Sequence, residues 1–151
     1  MNHPTLFVGI DISKHNHYVA IINEQKKAID KPFKISDSHD GYQALAQRLN
    51  CLQQLYQTKQ FYIGIEATGD YWKNIYYFLK QQSVPLSISI INPIQTRALA
   101  KTELRRAKTD AVDANDIALF MAEKRPASYN NSTATWDIIK DIDKQIYQFR
   151  K

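Results

Sequence analysis

Two short apolar runs that each close on a carboxylate constrain this chain more than any other feature. Leu6-Phe-Val-Gly-Ile10 ends at Asp11, and Phe61-Tyr-Ile-Gly-Ile65 ends at Glu66. Their length and composition predict strands, and an ionised acid has no place inside an apolar strand without a partner. The runs therefore read as neighbouring strands delivering Asp11 and Glu66 to one sheet edge. A further acidic feature lies in Lys108-Thr-Asp-Ala-Val-Asp, where Asp110 and Asp113 stand three apart, the spacing that puts side chains on one helix face. Together the four acids could hold a pair of hard divalent cations, which take oxygen ligands and stabilise attacking and leaving oxygens in phosphoryl transfer. Taken singly, each has a plainer reading: Asp11 as a strand end meeting a turn, Glu66 as an acid near a helix dipole, Asp110 as a helix N-cap.

The rest of the chain supplies a frame for these acids. Leu6 to Asp11, His17 to Ile22 and Ala28 to Ser36 read as three strands with short links, an antiparallel meander. Asp37-Ser-His-Asp-Gly41 carries helix-start residues, and Tyr42, Leu45, Leu49, Leu52, Leu55 and Tyr56 then recur at helical spacing. A fourth strand, Phe61 to Glu66, precedes a helix over Tyr71 to Gln81 that buries Trp72, Ile75, Tyr76 and Leu79, and a fifth strand spans Pro85 to Ile91. After Asn92-Pro93 the pattern is helical in pieces, with Val112, Ile117, Leu119, Phe120 and Met121 as packing candidates in a helix over Asp110 to Glu123. This element order describes an α/β fold, a mixed five-stranded sheet with crossover helices.

At 151 residues the chain fits one domain with an appended helix. Residues 1–125 form the predicted domain, 126–133 a linker with a proline and a polar run, and 134–151 the start of a coiled-coil or amphipathic helix. In that last segment Ile139, Ile142, Ile146 and Phe149 are spaced as in a coiled-coil seam, and a helix would normally continue past Lys151. No apolar stretch approaches the roughly 20 residues of a membrane helix, and no secretory signal is visible, so the expected location is the cytoplasm. Cys51, the only cysteine, is expected to be a small core residue of the first helix. The net charge of +5 is concentrated: Arg97, Lys101, Arg105, Arg106 and Lys108 stand against one acid, Glu103, and lead into Asp110. A basic approach to an acidic centre suits a polyanionic substrate, although a run of this size also reads as a solvated helix face.

Phe7-Val-Gly-Ile-Asp-Ile-Ser-Lys14, Gly64-Ile-Glu-Ala-Thr-Gly69 with Tyr71, Asn92-Pro93 and Lys108-Thr-Asp-Ala-Val-Asp-Ala114 resemble the amino-terminal domain of DEDD-type insertion-sequence transposases. That group includes Piv-like DNA invertases and recombinases guided by a bridge RNA. The resemblance covers roughly residues 5 to 125 and implies a RuvC-like, ribonuclease H-like fold with helices on both faces of the sheet. It implies that Asp11, Glu66, Asp110 and Asp113 are the catalytic acids and metal ligands, with two magnesium ions expected and manganese a substitute. Implied partners are DNA, a guide RNA where one is used, and a second copy joined through the carboxy-terminal helix. The family's full-length proteins add a domain with a serine nucleophile, whose motif this chain does not contain, so the expected fragment holds half of an active site.

Other residues receive lesser roles. Arg97, Lys101, Arg105, Arg106 and Lys108 are expected to bind phosphates. Lys14 and Thr68 flank the centre, and either could touch a phosphate or a metal-bound water. Tyr71 and Trp72 read as base-stacking or, more simply, core aromatics; His15 and His17 read as solvent-facing, and Asp70 and Asp116 as surface or capping acids. Two other functions fit parts of the pattern. A nucleotide-binding domain of the actin and sugar-kinase type also starts on a strand with Gly-Ile-Asp, but the chain has 4 glycines and no later glycine-rich phosphate loop. A non-catalytic nucleic-acid-binding module would leave the acids a structural role.

Overall fold

The computed structural model describes residues 3–67, 69–99 and 113–129. Strands β1 (Thr5–Ile12), β2 (Asn16–Ile22) and β3 (Phe33–Ser36) precede helix α1 (His39–Tyr56). They are followed by β4 (Gln60–Glu66), α2 (Trp72–Lys80), β5 (Leu86–Ile91), α3 (Pro93–Leu99) and α4 (Ala114–Lys124). The five strands form one sheet in the order β3-β2-β1-β4-β5. β1 pairs antiparallel with β2 and β2 with β3, while β4 runs parallel to both β1 and β5. The meander and mixed sheet read from the sequence are therefore both present.

Alternation along the strands sorts the core into two layers. Leu6, Val8 and Ile10 of β1, with Phe61, Ile63 and Ile65 of β4, face α1 and α2, where Leu45, Leu49, Trp72, Ile75 and Leu79 cover them. The residues between them turn the other way, and there Phe7 packs with Ile117 and Met121 of α4. Gly9 and Gly64 belong to that second face and lie beside each other in the β1–β4 register. A methyl at Gly9 would overlap the Ala114 carbonyl oxygen and the Ala118 amide nitrogen, so α4 rests on bare backbone. At Gly64 a methyl would come 2.6 Å from Met121 Cγ and 2.7 Å from Ile91 Cδ1, both on side chains that can move.

Local signals place the helices. Ser38 caps α1, its hydroxyl accepting the Gly41 amide at 3.2 Å. Asn92 Oδ1 accepts the Ile94 amide at 2.9 Å, and Pro93 opens α3, where a missing N–H costs nothing. The predicted third strand shortens to Phe33–Ser36, with Ala28 making only an isolated bridge to Ile22. The Asn23 side chain takes the amides of Gln25 and Lys27 at 3.0 Å each and holds the preceding turn, while a bend at Ile29 and Asp30 and the proline Pro32, with no N–H to donate, keep residues 29–32 out of the ladder. Leu55, expected on the buried face of α1, is 73% exposed, because it falls on the side of the helix that carries the exposed Ala44, Arg48 and Cys51. Cys51 is exposed as well, since it lies off the stripe formed by Leu45, Leu49 and Leu52.

Residues 126–129, the described part of the expected linker, are held on the domain. Arg125 ends α4 in the left-handed region and stacks its guanidinium over the Phe7 and Tyr62 rings at 5.2 and 5.5 Å. The chain then rounds the outer edge of β5: the Ser89 hydroxyl lies 3.1 and 3.0 Å from the Pro126 and Ala127 carbonyl oxygens, and the Tyr129 amide donates to Ile88 O at 2.7 Å. Tyr129 finishes against Trp72 and Tyr76 on the opposite face. Residues 134–151 lie outside the described residues.

The close approach of α4 makes the two strand glycines unequal. Gly9→Ala must push back helix backbone and is expected to cost about 3 kcal/mol, the upper part of the range for overpacking, whereas Gly64→Ala should cost about 1 kcal/mol. Urea denaturation of both variants checks the ranking, and equal costs would contradict the backbone contact.

Candidate functional site

The face that carries Gly9 and Gly64 also carries the acids. Two residues beyond Gly9 on β1 comes Asp11, and two beyond Gly64 on β4 comes Glu66. Because Ile10 and Ile65 are partners in the parallel ladder, the next residue on each strand brings these carboxylates side by side at the carboxyl ends of the strands. α4 begins over Gly9, so its amino terminus arrives at the same place. Asp113 is its N-cap, and with Asp116 it forms a reciprocal capping box: the Asp116 amide donates to Asp113 Oδ1 at 2.9 Å, and the Asp113 amide to Asp116 Oδ2 at 3.3 Å. Asp113 is exposed and Asp116 is buried.

The backbone at Asp113 is extended, with φ −108° and ψ 176°. Helical geometry therefore starts at Ala114, with Asp113 as its N-cap and not an interior residue of the expected helix, whose predicted start at Asp110 lies outside the described residues. The pair three apart at the described helix start is Asp113 with Asp116. Asp116 is a capping acid, as the sequence suggested, but not a surface one.

Electrostatics tie the acids together. Burial, and after it the charge of Asp113, pushes the Asp11 carboxyl above its ordinary value, with His17 opposing. Glu66 is raised chiefly by burial and next by Asp11; Arg97 draws it back, and Asp116 adds to the rise. Glu66 is only 7% exposed, and its Oε2 is buried with no hydrogen-bond partner among the described residues. Such an atom costs stability unless something supplies positive charge or a proton. Among the described residues no three His, Cys, Asp or Glu groups gather closely enough to hold a metal ion. Asp110 lies outside them, as do Thr68, Lys101, Arg105, Arg106 and Lys108.

Of the remaining candidates, Arg97 sits exposed on α3, near enough to Glu66 for its charge to be felt there. Lys14 is exposed in the β1–β2 turn. Trp72 is core, while Tyr71 is 44% exposed. Asp70 is at the surface, 3.4 Å from Lys73. His15 is exposed, but His17 is fully buried, contrary to expectation. The Ser13 amide donates to its Nδ1 at 3.2 Å, which makes Nε2 the protonated nitrogen, 3.0 Å from Asp37 Oδ1. Asp37 also accepts the Tyr42 hydroxyl, so this network clamps the turn that follows Asp11. Sequence reading missed it because alternation alone does not say which face of β2 α1 will cover.

Comparison with known proteins bears on the family and the fold. Residues 8–149 match the DEDD_Tnp_IS110 transposase family. Over 120 residues the chain is 28% identical to the pilin gene-inverting proteins of Moraxella bovis and Moraxella lacunata, an alignment covering 80% of this chain and 35% of each relative. The chain thus spans about a third of the length of these curated relatives. Among solved structures, Thermus thermophilus RuvC matches with a TM-score of 0.52 and 9% identity, covering 82% of this chain and 99% of RuvC. T. thermophilus RuvC in complex with a Holliday junction substrate gives 0.50 and 13%, over 82% and 98%. The fold is RuvC-like and ribonuclease H-like, and the family matched is one of transposases, not of actin or sugar-kinase type.

The raised carboxyls carry a pH signature. Folded values above the ordinary 3.8 and 4.5 of Asp11 and Glu66 mean that the folded chain holds more protons than the unfolded one. These acids therefore subtract stability as pH rises from below about 4 towards neutrality. With chelator present, Asp11→Asn combined with Glu66→Gln should melt a few degrees higher than the parent at pH 7, and the gain should shrink on acidification. A double variant less stable than the parent at pH 7 would contradict the repulsion.

Proposed function

The chain belongs to the DEDD_Tnp_IS110 transposase family, and we propose that residues 1–125 are its metal-dependent catalytic domain, cutting and joining DNA phosphodiester bonds in transposition or inversion. The observation that carries this reading is Glu66 Oε2, buried and without a hydrogen-bond partner among the described residues, beside Asp11 on the face where α4 brings Asp113. A hard divalent cation fits such a donor set of carboxylate oxygens. Asp11, Glu66, Asp113 and, from outside the described residues, Asp110 would hold magnesium or manganese, in two ions. When bound, the metal supplies charge that stabilises attacking and leaving oxygens.

The remaining work falls to the chain's own groups. Asp113 commits Oδ1 to the α4 cap, which fixes the carboxylate at the helix start and leaves Oδ2 without a protein partner among the described residues. The Ser13–His17–Asp37–Tyr42 network holds the turn after Asp11 against α1, so that Asp11 stays at the strand end. Arg97 starts a basic run, continued by Lys101, Arg105, Arg106 and Lys108, that binds phosphates of DNA or of a guide RNA. Lys14 and Thr68 flank the centre as accessory contacts. The DNA is met in the cytoplasm; no described helix is long and apolar enough to cross a membrane.

The family resemblance implies a serine nucleophile supplied by a second domain, and this reading takes that serine as the group that attacks DNA. Association of copies is proposed to run through residues 134–151, which lie outside the described residues. Removing 134–151 should yield a monomer by light scattering, and an oligomer of unchanged size would count against that role.

Metal binding has a direct readout. Manganese at about a hundred times its dissociation constant should add about 2.7 kcal/mol to the folded state, seen as a higher melting temperature. Asp11→Asn with Glu66→Gln should abolish the rise. A parent protein whose melting temperature ignores both manganese and magnesium would remove the ligand assignment.

A further inference from the structure

The acids do not end their row of the sheet. Asp11 is paired across the antiparallel ladder with Tyr18 of β2, and Tyr18 with Lys34 of β3. Residues directly opposed in such a ladder point to the same face. Glu66, Asp11, Tyr18 and Lys34 therefore form one line across four adjacent strands on the face that carries α4. Ala20, next on that face of β2, is covered by α4, but Tyr18 is 47% exposed, between His17 and Val19 at 0%. Lys34 is exposed too. Neither side chain has a hydrogen bond, ion pair or ring contact among the described residues. An isolated exposed aromatic needs no explanation, whereas a phenol and an ammonium set in register with a phosphodiester-cleaving centre do.

Resting on the function proposed above, we propose that this row is a single-strand track: an unpaired DNA segment leaving the acidic centre lays a base on the Tyr18 ring and a backbone phosphate on Lys34. The dimensions agree. Lys34 stands two strand spacings from Asp11, about 10 Å, a distance that a short stretch of unpaired backbone spans. The chemistry agrees as well, because aromatic rings stack on the face of any base and a lysine beside them neutralises the backbone. A paired duplex hides its base faces, so the Tyr18 contribution belongs to unpaired DNA.

The test measures binding of fluorescently labelled DNA to the chain by anisotropy, using a single-stranded oligonucleotide and a blunt duplex of the same sequence over a range of salt. Tyr18→Ala should weaken single-strand binding about tenfold and leave duplex binding within about twofold, while Tyr18→Phe keeps the parent's affinity for both. Lys34→Ala should lower the salt slope on the single strand by about 1, and Tyr18→Ala should leave that slope unchanged. Both positions are at the surface, and melting temperatures equal to the parent's verify that each variant is folded. If the parent binds single strands and Tyr18→Ala binds them equally well, or loses both DNAs alike, the track is wrong and the function stands. If the parent binds neither DNA at any salt, the function fails and takes the track with it.

Discussion

Everything at the candidate centre depends on one close contact, the seating of α4 on strand backbone at Gly9. A helix packed on a sheet through ordinary side chains stands well off the strands. Here Ala114 and Ala118 meet a residue with no side chain, and the helix comes down until its backbone touches. The amino terminus of α4, with its N-cap carboxylate, is thereby set beside the ends of β1 and β4. The same approach is what buries Asp116 and desolvates Glu66. A bulkier sheet face would keep the strands and lose the meeting of the acids.

That seating has an electrostatic cost, which bears on the role of the acids. Carboxylates placed to stabilise a fold normally find cations or amide donors that lower their pKa; Asp11 and Glu66 are both pushed upward, mainly by burial and then by an acidic neighbour. Among neighbouring charges, Arg97 moderates Glu66 but does not cancel the rise. A site of this kind is underneutralised by its own protein, which is the condition under which a bound cation gains most. The clamp on the turn after Asp11 is stable by contrast, since His17, Asp37 and Tyr42 satisfy one another.

The strands and helices were legible because the hydrophobic period changes cleanly from two to nearly four along the chain. β1, β4 and α2 come out within a residue or so of their expected bounds, and all four apolar residues predicted to be buried in α2 are buried. What failed depended on where a neighbour ends. Leu55 falls at the border of the α1 stripe, on the side left to solvent, and His17 looks like any strand-start histidine until α1 closes over it. The convergence of Asp11 and Glu66 on one face was readable from two runs with the same length and the same glycine. The start of α4 was not: Asp110 and Asp113 stand three positions apart, as do Asp113 and Asp116, and spacing cannot say where the helix begins.

The capping box answers that question physically and links folding to the site. An N-cap needs an extended backbone and a short acceptor, and its N3 partner needs an acceptor that can reach back; Asp113 and Asp116 satisfy both. Two ionised aspartates within one helical turn repel each other, yet the positive end of the helix and two amide donors offset much of that repulsion. Asp116 thus uses its carboxylate to hold the start of α4, and Asp113 keeps one oxygen without a partner among the described residues. The helix start and the acidic centre are consequently one construction. The sheet glycine lets the helix descend, the cap fixes where it begins, and the position of Asp113 relative to Asp11 and Glu66 follows from those two constraints.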